Sequence, residues 1–332
     1  MTSLTNASAA ELEIAVSRVI DRARLGIPLG GYGGRSQVYS VGSDAVVKVY
    51  SLDAELKSGR EVRAYDLLAG RGLPIPRKLA QGRLSDGTPW LLLSRLPGEI
   101  LAEFLDTLPL AQQCDLFGEI GALLARLHAT PIDDVFAREP VVGLVVRYPA
   151  RLLSKMRQYA ASARETEGEV RRTVEAIERW LDAHPALEEQ VPLAFMHGDY
   201  SARNVLVSRR GGRDELTGII DFEKAYLGEP ARDIAKMFFA EPQMWTSRFC
   251  RFCEAYVATG GAMPSFTRFV FNAFAIVLDA ATWAPQIDPE YFQRLVIKTE
   301  CLLAAEPEPP PGLFEPHRLS VPFSEPRRRG EL

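Results

Sequence analysis

The sequence predicts an α+β protein with a strand-rich N-terminal part, built on an antiparallel sheet, and a mostly helical C-terminal part. Three observations carry that expectation. Up to residue 94, short apolar segments are separated by turn residues such as Gly42-Ser43-Asp44 and Ser85-Asp86-Gly87. After Gly98 the apolar residues fall at helical spacing, as in Leu116, Ile120, Leu123, Leu124 and Leu127. The length, 332 residues, exceeds one ordinary domain and suits two lobes. The expected boundaries are an N-lobe over 1–94, a hinge over 95–98, a helical C-lobe over 99–304 and a Pro-rich mobile tail over 305–332.

Taken in order, residues 11–25 carry Leu12, Ala15, Val16, Val19, Ile20 and Ala23 at helical spacing. Four glycines, Gly30, Gly31, Gly33 and Gly34, then fall within five positions. Backbone without side chains approaches a phosphate closely, although a plain flexible turn has the same composition. No Gly-Lys-Ser/Thr follows, so this is not a Walker A loop. The alternation after Ser36 and the segment 45–50 read as an antiparallel hairpin. Lys48 interrupts that segment between Val47 and Val49. Such a lysine ordinarily faces solvent. After a glycine-rich hairpin the alternative is contact with nucleotide phosphates, which needs a carboxylate to hold the ammonium group. Glu61 is the expected partner, at the head of a helix with Val62, Tyr65 and Leu68 inward, and Glu55 is the alternative.

Strands over 77–81 and 90–94 follow, and Arg95-Leu96-Pro97-Gly98 reads as the hinge. Extended backbone there would meet a purine base at Ser94 and Leu96, or would simply leave the strand. A helix over 110–128 ends at His128, which reads as structural. Residues 132–148 look irregular and 151–183 helical, with further helices over 245–258, 264–283 and 288–304. The proline-rich tail is too poor in core residues to pack by itself.

Composition narrows the partners. With 47% hydrophobic and 25% charged residues the chain reads as a soluble globular protein. No apolar run approaches the ~18 residues of a membrane span, so no membrane partner is expected. The N-terminus lacks a basic stretch followed by an apolar core, so no secretory signal is expected either. A net charge of −4 argues against nucleic acid. Cys250 and Cys253 form a C-x-x-C beside Phe249, Phe252 and Tyr256, with no second ligand pair nearby. They read as buried thiols in a reducing, cytoplasmic setting. The sequence leaves monomer and homodimer open.

The chemistry concentrates in residues 197–207, His-Gly-Asp-Tyr-Ser-Ala-Arg-Asn-Val-Leu-Val, and in Gly-Ile-Ile-Asp-Phe at 218–222. Two strands turning through Arg209-Arg210-Gly211-Gly212-Arg213 would set Asn204 at the entry of one and Asp221 at the exit of the other. Asp199 reaches the same space from the loop ahead. Phosphoryl transfer uses such a group. One carboxylate orients the attacking hydroxyl and takes its proton; a second carboxylate and an amide hold the Mg²⁺ that bridges the nucleotide phosphates. The spacing is that of kinase catalytic loops. Singly, each residue is as well explained by a turn or a cap; together, at this spacing, they point to a site.

These motifs resemble the aminoglycoside phosphotransferase family of small-molecule kinases over residues 25–300. The resemblance runs through the glycine-rich loop, strand lysine, helix glutamate, Leu-His-Ala helix end and His-Gly-Asp…Asn. It closes on Ile-Ile-Asp-Phe-Glu…Gly-Glu-Pro-Ala-Arg-Asp-Ile-Ala. It implies a bilobal, protein-kinase-like fold, ATP or GTP as donor, Mg²⁺, and a small-molecule hydroxyl as acceptor. That acceptor would be an aminoglycoside, a nucleoside-type or another glycosylated antibiotic, phosphorylated in resistance or self-protection. It also implies roles. Asp199 would be the catalytic base, and Asn204 and Asp221 the metal ligands. Lys48, paired with Glu61, would hold phosphates under a loop containing Gly31, Gly33, Gly34 and Ser36. Ser94 and Leu96 would line the base. Asp233 would support the catalytic loop, and His197 would organise it. Arg203 would steady Asp199 or the γ-phosphate, or be a plain surface arginine.

The departures also inform. Phe222-Glu223 stands where protein kinases carry Phe-Gly, and no Ala-Pro-Glu follows, so an activation loop for protein substrates is not expected. Residues 138–172 carry Arg138, Arg147, Arg151, Arg157, Arg164, Arg171 and Arg172, while 264–283 holds one acid, Asp279. That balance leans toward a less cationic acceptor. The rival readings are a non-catalytic pseudokinase, a nucleotide hydrolase, and a kinase of choline, homoserine, a sugar or a fructosamine. A pseudokinase would be expected to lack one of Lys48, Asp199, Asn204 or Asp221, and all four are present.

Overall fold

The computed structural model describes residues 6–21, 23–29, 36–132, 149–163, 168–189, 191–210, 213–305 and 308–314. The chain divides into two compact units. No described helix is long and apolar enough to cross a membrane.

The first unit is drawn chiefly from residues up to 103 and from 203–226. After α1 (Asn6–Ser17) come β1 (Leu25–Leu29), β2 (Ser36–Val41), β3 (Ala45–Tyr50), α2 (Glu55–Leu68), β4 (Lys78–Arg83) and β5 (Pro89–Ser94). The strands form one antiparallel sheet in the order β1-β2-β3-β5-β4. The helical spacing over 11–25 is only partly realised. Leu12 and Val16 are fully buried but Val19 is 48% exposed. The helix ends at Ser17, Ile20 and Ala23 still pack on the same core from the stretch that follows, and Leu25 opens a strand opposite Val41.

Alternation along β3 sends Val47 and Val49 into a core with Leu12, Val16, Tyr39, Val41 and Leu92. It sends Lys48 and Tyr50 to the opposite face, where α2 buries Glu61, Ala64, Tyr65 and Leu68. Both faces of this sheet are covered, which is why a lysine inside an apolar strand is buried rather than solvent-facing.

A second sheet has the order β6-β7-β8, with β6 (Glu99–Ile100), β7 (Val205–Arg210) and β8 (Arg213–Ile219). The Gly98 backbone (φ 106°) runs so close to β7 that a Cβ there would lie 2.4 Å from the Val207 carbonyl oxygen, so only glycine fits. Thr217 Oγ1 donates to the Pro97 carbonyl at 2.6 Å, and the Ile219 N–H to the Pro74 carbonyl at 3.0 Å. These bonds tie the hairpin to the N-terminal unit, although its sequence position suggested the helical part.

The second unit holds α3 (Leu110–His128), α4 (Pro149–Ala163), α5 (Gly168–Asp182), α6 (Ala231–Ala240), α7 (Ser247–Ala258), α8 (Phe266–Ala281) and α9 (Pro289–Ala304). α8 is apolar nearly all round and packs against α4, α5, α6 and α9. α3 and α7 approach so closely that a Cβ on Gly121 would stand 2.1 Å from the Phe252 carbonyl oxygen. The Phe238, Trp245, Phe249 and Phe269 rings form one cluster. Phe314 joins it, its ring 4.9 Å from that of Phe269, and Leu313 beside it is buried. Two large apolar side chains thus dock residues 308–314 within a segment expected to be mobile. Cys250 and Cys253 are buried free thiols, and burial pushes Cys250 up to about 12.

Candidate active site

In the first unit the site is built on Lys48. Its ammonium nitrogen lies 2.7 Å from Glu61 Oε2, 2.7 Å from Asp221 Oδ1 and 3.2 Å from Glu223 Oε2. The register explains the position: Lys48 sits mid-strand, between Val38 and Leu91, under the helix that carries Glu61. Tyr50, two residues on and on the same face, donates its hydroxyl to Glu61 Oε2 at 2.7 Å. Burial pulls the Lys48 ammonium down, but Asp221 and Glu61 outweigh it, and the group stands well above the ordinary lysine value. Burial also pushes Glu61 up, against the pull of Lys48. Glu55 instead pairs with Arg83 on the surface.

Asp221 reaches Lys48 from a left-handed backbone, φ 69°. Aspartate is among the few side chains that tolerate this conformation, and strained positions concentrate where the chemistry requires them. Pairing of Val205 with Ile219, and an Ile220 N–H to Asn204 carbonyl bond of 3.0 Å, set Asn204 and Asp221 at neighbouring strand ends. Glu223, which the sequence marked only as a departure from Phe-Gly, also takes an ion pair from Lys57 at 3.0 Å. Its carbonyl accepts from Arg60. Among the described residues, Glu61, Asp221 and Glu223 are the one group of acidic, histidine or cysteine side chains close enough to share a metal ion. Hard carboxylate oxygens suit Mg²⁺, which prefers oxygen ligands and keeps several waters.

In the second unit the site is built on Asp199. Asp233, fully buried in the first turn of α6, accepts the His197 N–H at 2.8 Å and the Gly198 N–H at 2.9 Å. Its Oδ2 also lies 3.3 Å from His128 Nε2, and His128 Nδ1 lies 2.9 Å from the Tyr256 hydroxyl. His128, which showed no partner in the sequence, is thus part of the support of this loop. Gly198 takes φ 81°, a turn open to glycine. The Asp199 N–H donates to His197 Nδ1 at 3.2 Å, which makes that ring nitrogen an acceptor. Tyr200 is buried and donates to the Ile120 carbonyl at 2.8 Å. Lys236, one turn along α6 from Asp233, places its ammonium 2.9 Å from Asp199 Oδ1. The sequence reading passed over this residue.

Of the remaining expected site residues, Gly31, Gly33 and Gly34 lie outside the described residues, as do Arg138, Arg147 and Arg164. Ser36 opens β2 opposite Tyr50. Ser94 is engaged by its own sheet: its hydroxyl accepts the Arg77 N–H at 2.8 Å and its N–H donates to the Arg77 carbonyl. Leu96 packs its Cδ1 toward Gly218. Arg203 is exposed, in the short turn Ala202–Asn204. Arg157 and Arg171 pair on the surface with Asp182 and Glu175, so they do not speak to the charge of the acceptor.

A buried strand lysine held by a helix carboxylate and a strand-end aspartate defines the class, a kinase-type phosphotransferase fold. The model of the phosphotransferase enzyme family matches residues 30–270, and the chain belongs to that family. Viomycin phosphotransferase of Streptomyces vinaceus is 27% identical over 172 residues, 49% of this chain and 55% of that one. The chain thus matches about half the length of this relative. Among solved structures, the GDP complex of wild-type aminoglycoside 2'-phosphotransferase-IIIa is 18% identical, with a TM-score of 0.66 over 90% of this chain and 99% of the other. A ternary complex of aminoglycoside phosphotransferase APH(4)-Ia with ADP and hygromycin B is 17% identical, with a TM-score of 0.64 over 90% and 99%. At these identities the likeness establishes the kinase-like fold.

Proposed function

We propose that this chain is a Mg²⁺-dependent kinase that transfers the γ-phosphoryl group of ATP or GTP to a hydroxyl of an antibiotic. What supports the reading above all is the Lys48 ammonium held by Glu61 and Asp221 in a chain of this family. The phosphotransferase relative named for viomycin and the neighbours solved with GDP or ADP point the same way.

Lys48 would neutralise the nucleotide phosphates, aimed by Glu61. Asn204 and Asp221 would hold Mg²⁺, with Glu223 in reach; bound there, the ion neutralises charge between the phosphates. Asp199 would orient the acceptor hydroxyl. The hydroxyl proton passes to its carboxylate as oxygen bonds the γ-phosphorus, and the bond to the bridging oxygen breaks with its electrons leaving on the diphosphate.

A panel of cyclic-peptide, aminoglycoside and nucleoside antibiotics, incubated with MgATP and MgGTP and read by mass spectrometry, tests this. The expected product is one antibiotic heavier by a phosphoryl group. Asp199→Asn should lower kcat by about 10²- to 10⁴-fold with nucleotide affinity retained. Nucleotide cleavage with no phosphorylated acceptor would point to a hydrolase, and phosphorylated choline, homoserine or fructosamine to a metabolite kinase.

A further inference from the structure

We propose that Lys236 is a positioning residue for the transfer reaction: carried on α6, it holds one oxygen of the Asp199 carboxylate and thereby aims the other. This rests on the reading of Asp199 as the group that orients the acceptor hydroxyl. The Nζ–Oδ1 distance is 2.9 Å, and the two side chains are 23% and 22% exposed. A pair this accessible adds little to stability, so its effect is on direction and charge rather than on folding.

The lysine is itself held from two helices. On α6, Asp233 lies three residues earlier and binds the His197 and Gly198 amides, so one face of one helix ties down both the main chain of the loop and the side chain of Asp199. From α9, the Tyr291 ring lies beside the Lys236 ammonium, whose nitrogen is 5.8 Å from the ring centre. Tyr291 is fixed in turn, because its N–H donates to Asp288 Oδ1 at 2.9 Å in the cap of α9. Charged or titratable groups near the pair include His197 beside Asp199, Asp233 with His128, and Arg294, whose guanidinium lies 5.9 Å from the Tyr291 ring centre. Burial pulls the Lys236 ammonium down, and Asp199 and Tyr291 more than restore it, so the cation persists through the neutral range.

The consequence is a carboxylate whose direction is set before the acceptor arrives. Lys236→Met removes the counter-ion and the aim together; Lys236→Arg keeps the charge. Two readouts separate this from a structural role. Carbon-13 NMR follows the Asp199 carboxylate, identified by its loss in Asp199→Asn. Its titration should move up by about one to three pH units in Lys236→Met, because a neighbouring cation has gone. Kinetics with MgATP or MgGTP and the acceptor selected by the panel should show kcat roughly 10- to 100-fold lower, with the nucleotide KM unchanged. Lys236→Arg should recover most of both. The inference is overturned by a Lys236→Met enzyme with wild-type kcat and an unmoved carboxylate titration. It is equally overturned by a loss that follows a lowered melting temperature and is not recovered by arginine. An active Asp199→Asn enzyme removes the role of Asp199 and this inference with it; an inactive one beside a fully active Lys236→Met removes this inference alone.

Discussion

Lys48 in the first unit and Lys298 in the second are buried to the same depth, 6% and 5% exposed, yet their protonation is driven in opposite directions. Lys48 meets three carboxylates, and Asp221 and Glu61 overcome the burial that would otherwise strip its proton. Lys298, on α9, donates to the Phe238 carbonyl at 2.5 Å and the Glu241 carbonyl at 2.8 Å. The Glu241 carboxylate is committed to Arg248 Nε at 2.6 Å. There burial wins, and Lys298 is lowered to about 7. The charge of the partners, not depth, decides which buried lysine remains a cation. Lys48 is suited to anionic phosphates; Lys298 satisfies the carbonyls at the end of α6, a capping task for which a donor suffices.

The comparison breaks most visibly at Lys48. Lys48→Met would leave Glu61, Asp221 and Glu223 crowded without their common cation. Urea denaturation should show a loss of about 3–5 kcal/mol, the usual result of removing one side of a buried pair. A change below about 1 kcal/mol would mean the carboxylates take up protons without strain. Tyr50→Phe is the next step down. It removes one hydrogen bond to the Glu61 carboxylate and should cost about 1.5–3 kcal/mol in the same assay.

Lys298 gives an effect that is read as a slope against pH, and the sharpest sign. Its folded value of about 7 lies below the ordinary 10.5, so between those values the unfolded chain binds a proton the folded chain lacks. Stability must therefore rise with pH across that window, by up to about 1.4 kcal/mol per pH unit, and Lys298→Met should remove that slope. Lys48 carries the opposite sign. Its contribution is complete below 10.5 and is lost only as pH rises through its higher folded value, so it should add no slope between pH 6 and 9. Parallel pH series for wild type, Lys48→Met and Lys298→Met would reveal whether the two lysines differ as described.

Much of the first lysine's setting was legible in the chain, and none of the second's. Glu61 could be chosen over Glu55 because the inner face of its helix runs through Tyr65 and Leu68, and the Asn204–Asp221 hairpin because paired glycines separate two apolar runs. Those signals are local. Glu223 escaped notice because it was read against a protein-kinase glycine rather than for its own charge. Lys236 and His128 escaped because what they touch, Asp199 and Asp233, is distant in sequence and no periodicity announces it. The first helix stops at Ser17 while Ile20 and Ala23 reach the same core without it, a difference that apolar spacing alone does not show.

Lys48 and Asp221, which meet at 2.7 Å, are 173 positions apart in the chain. A ribosome adding about 5–20 residues per second reaches the aspartate roughly 10–35 s after the lysine. Throughout that interval the first sheet can pair its own strands, yet β7, and β8, which donates to the Pro97 and Pro74 carbonyls, have not been made. The N-terminal unit is therefore completed late in synthesis, after most of the helical segments between have emerged. Slowing translation between residues 100 and 200 would lengthen the time for which β6 lacks the strand it pairs with.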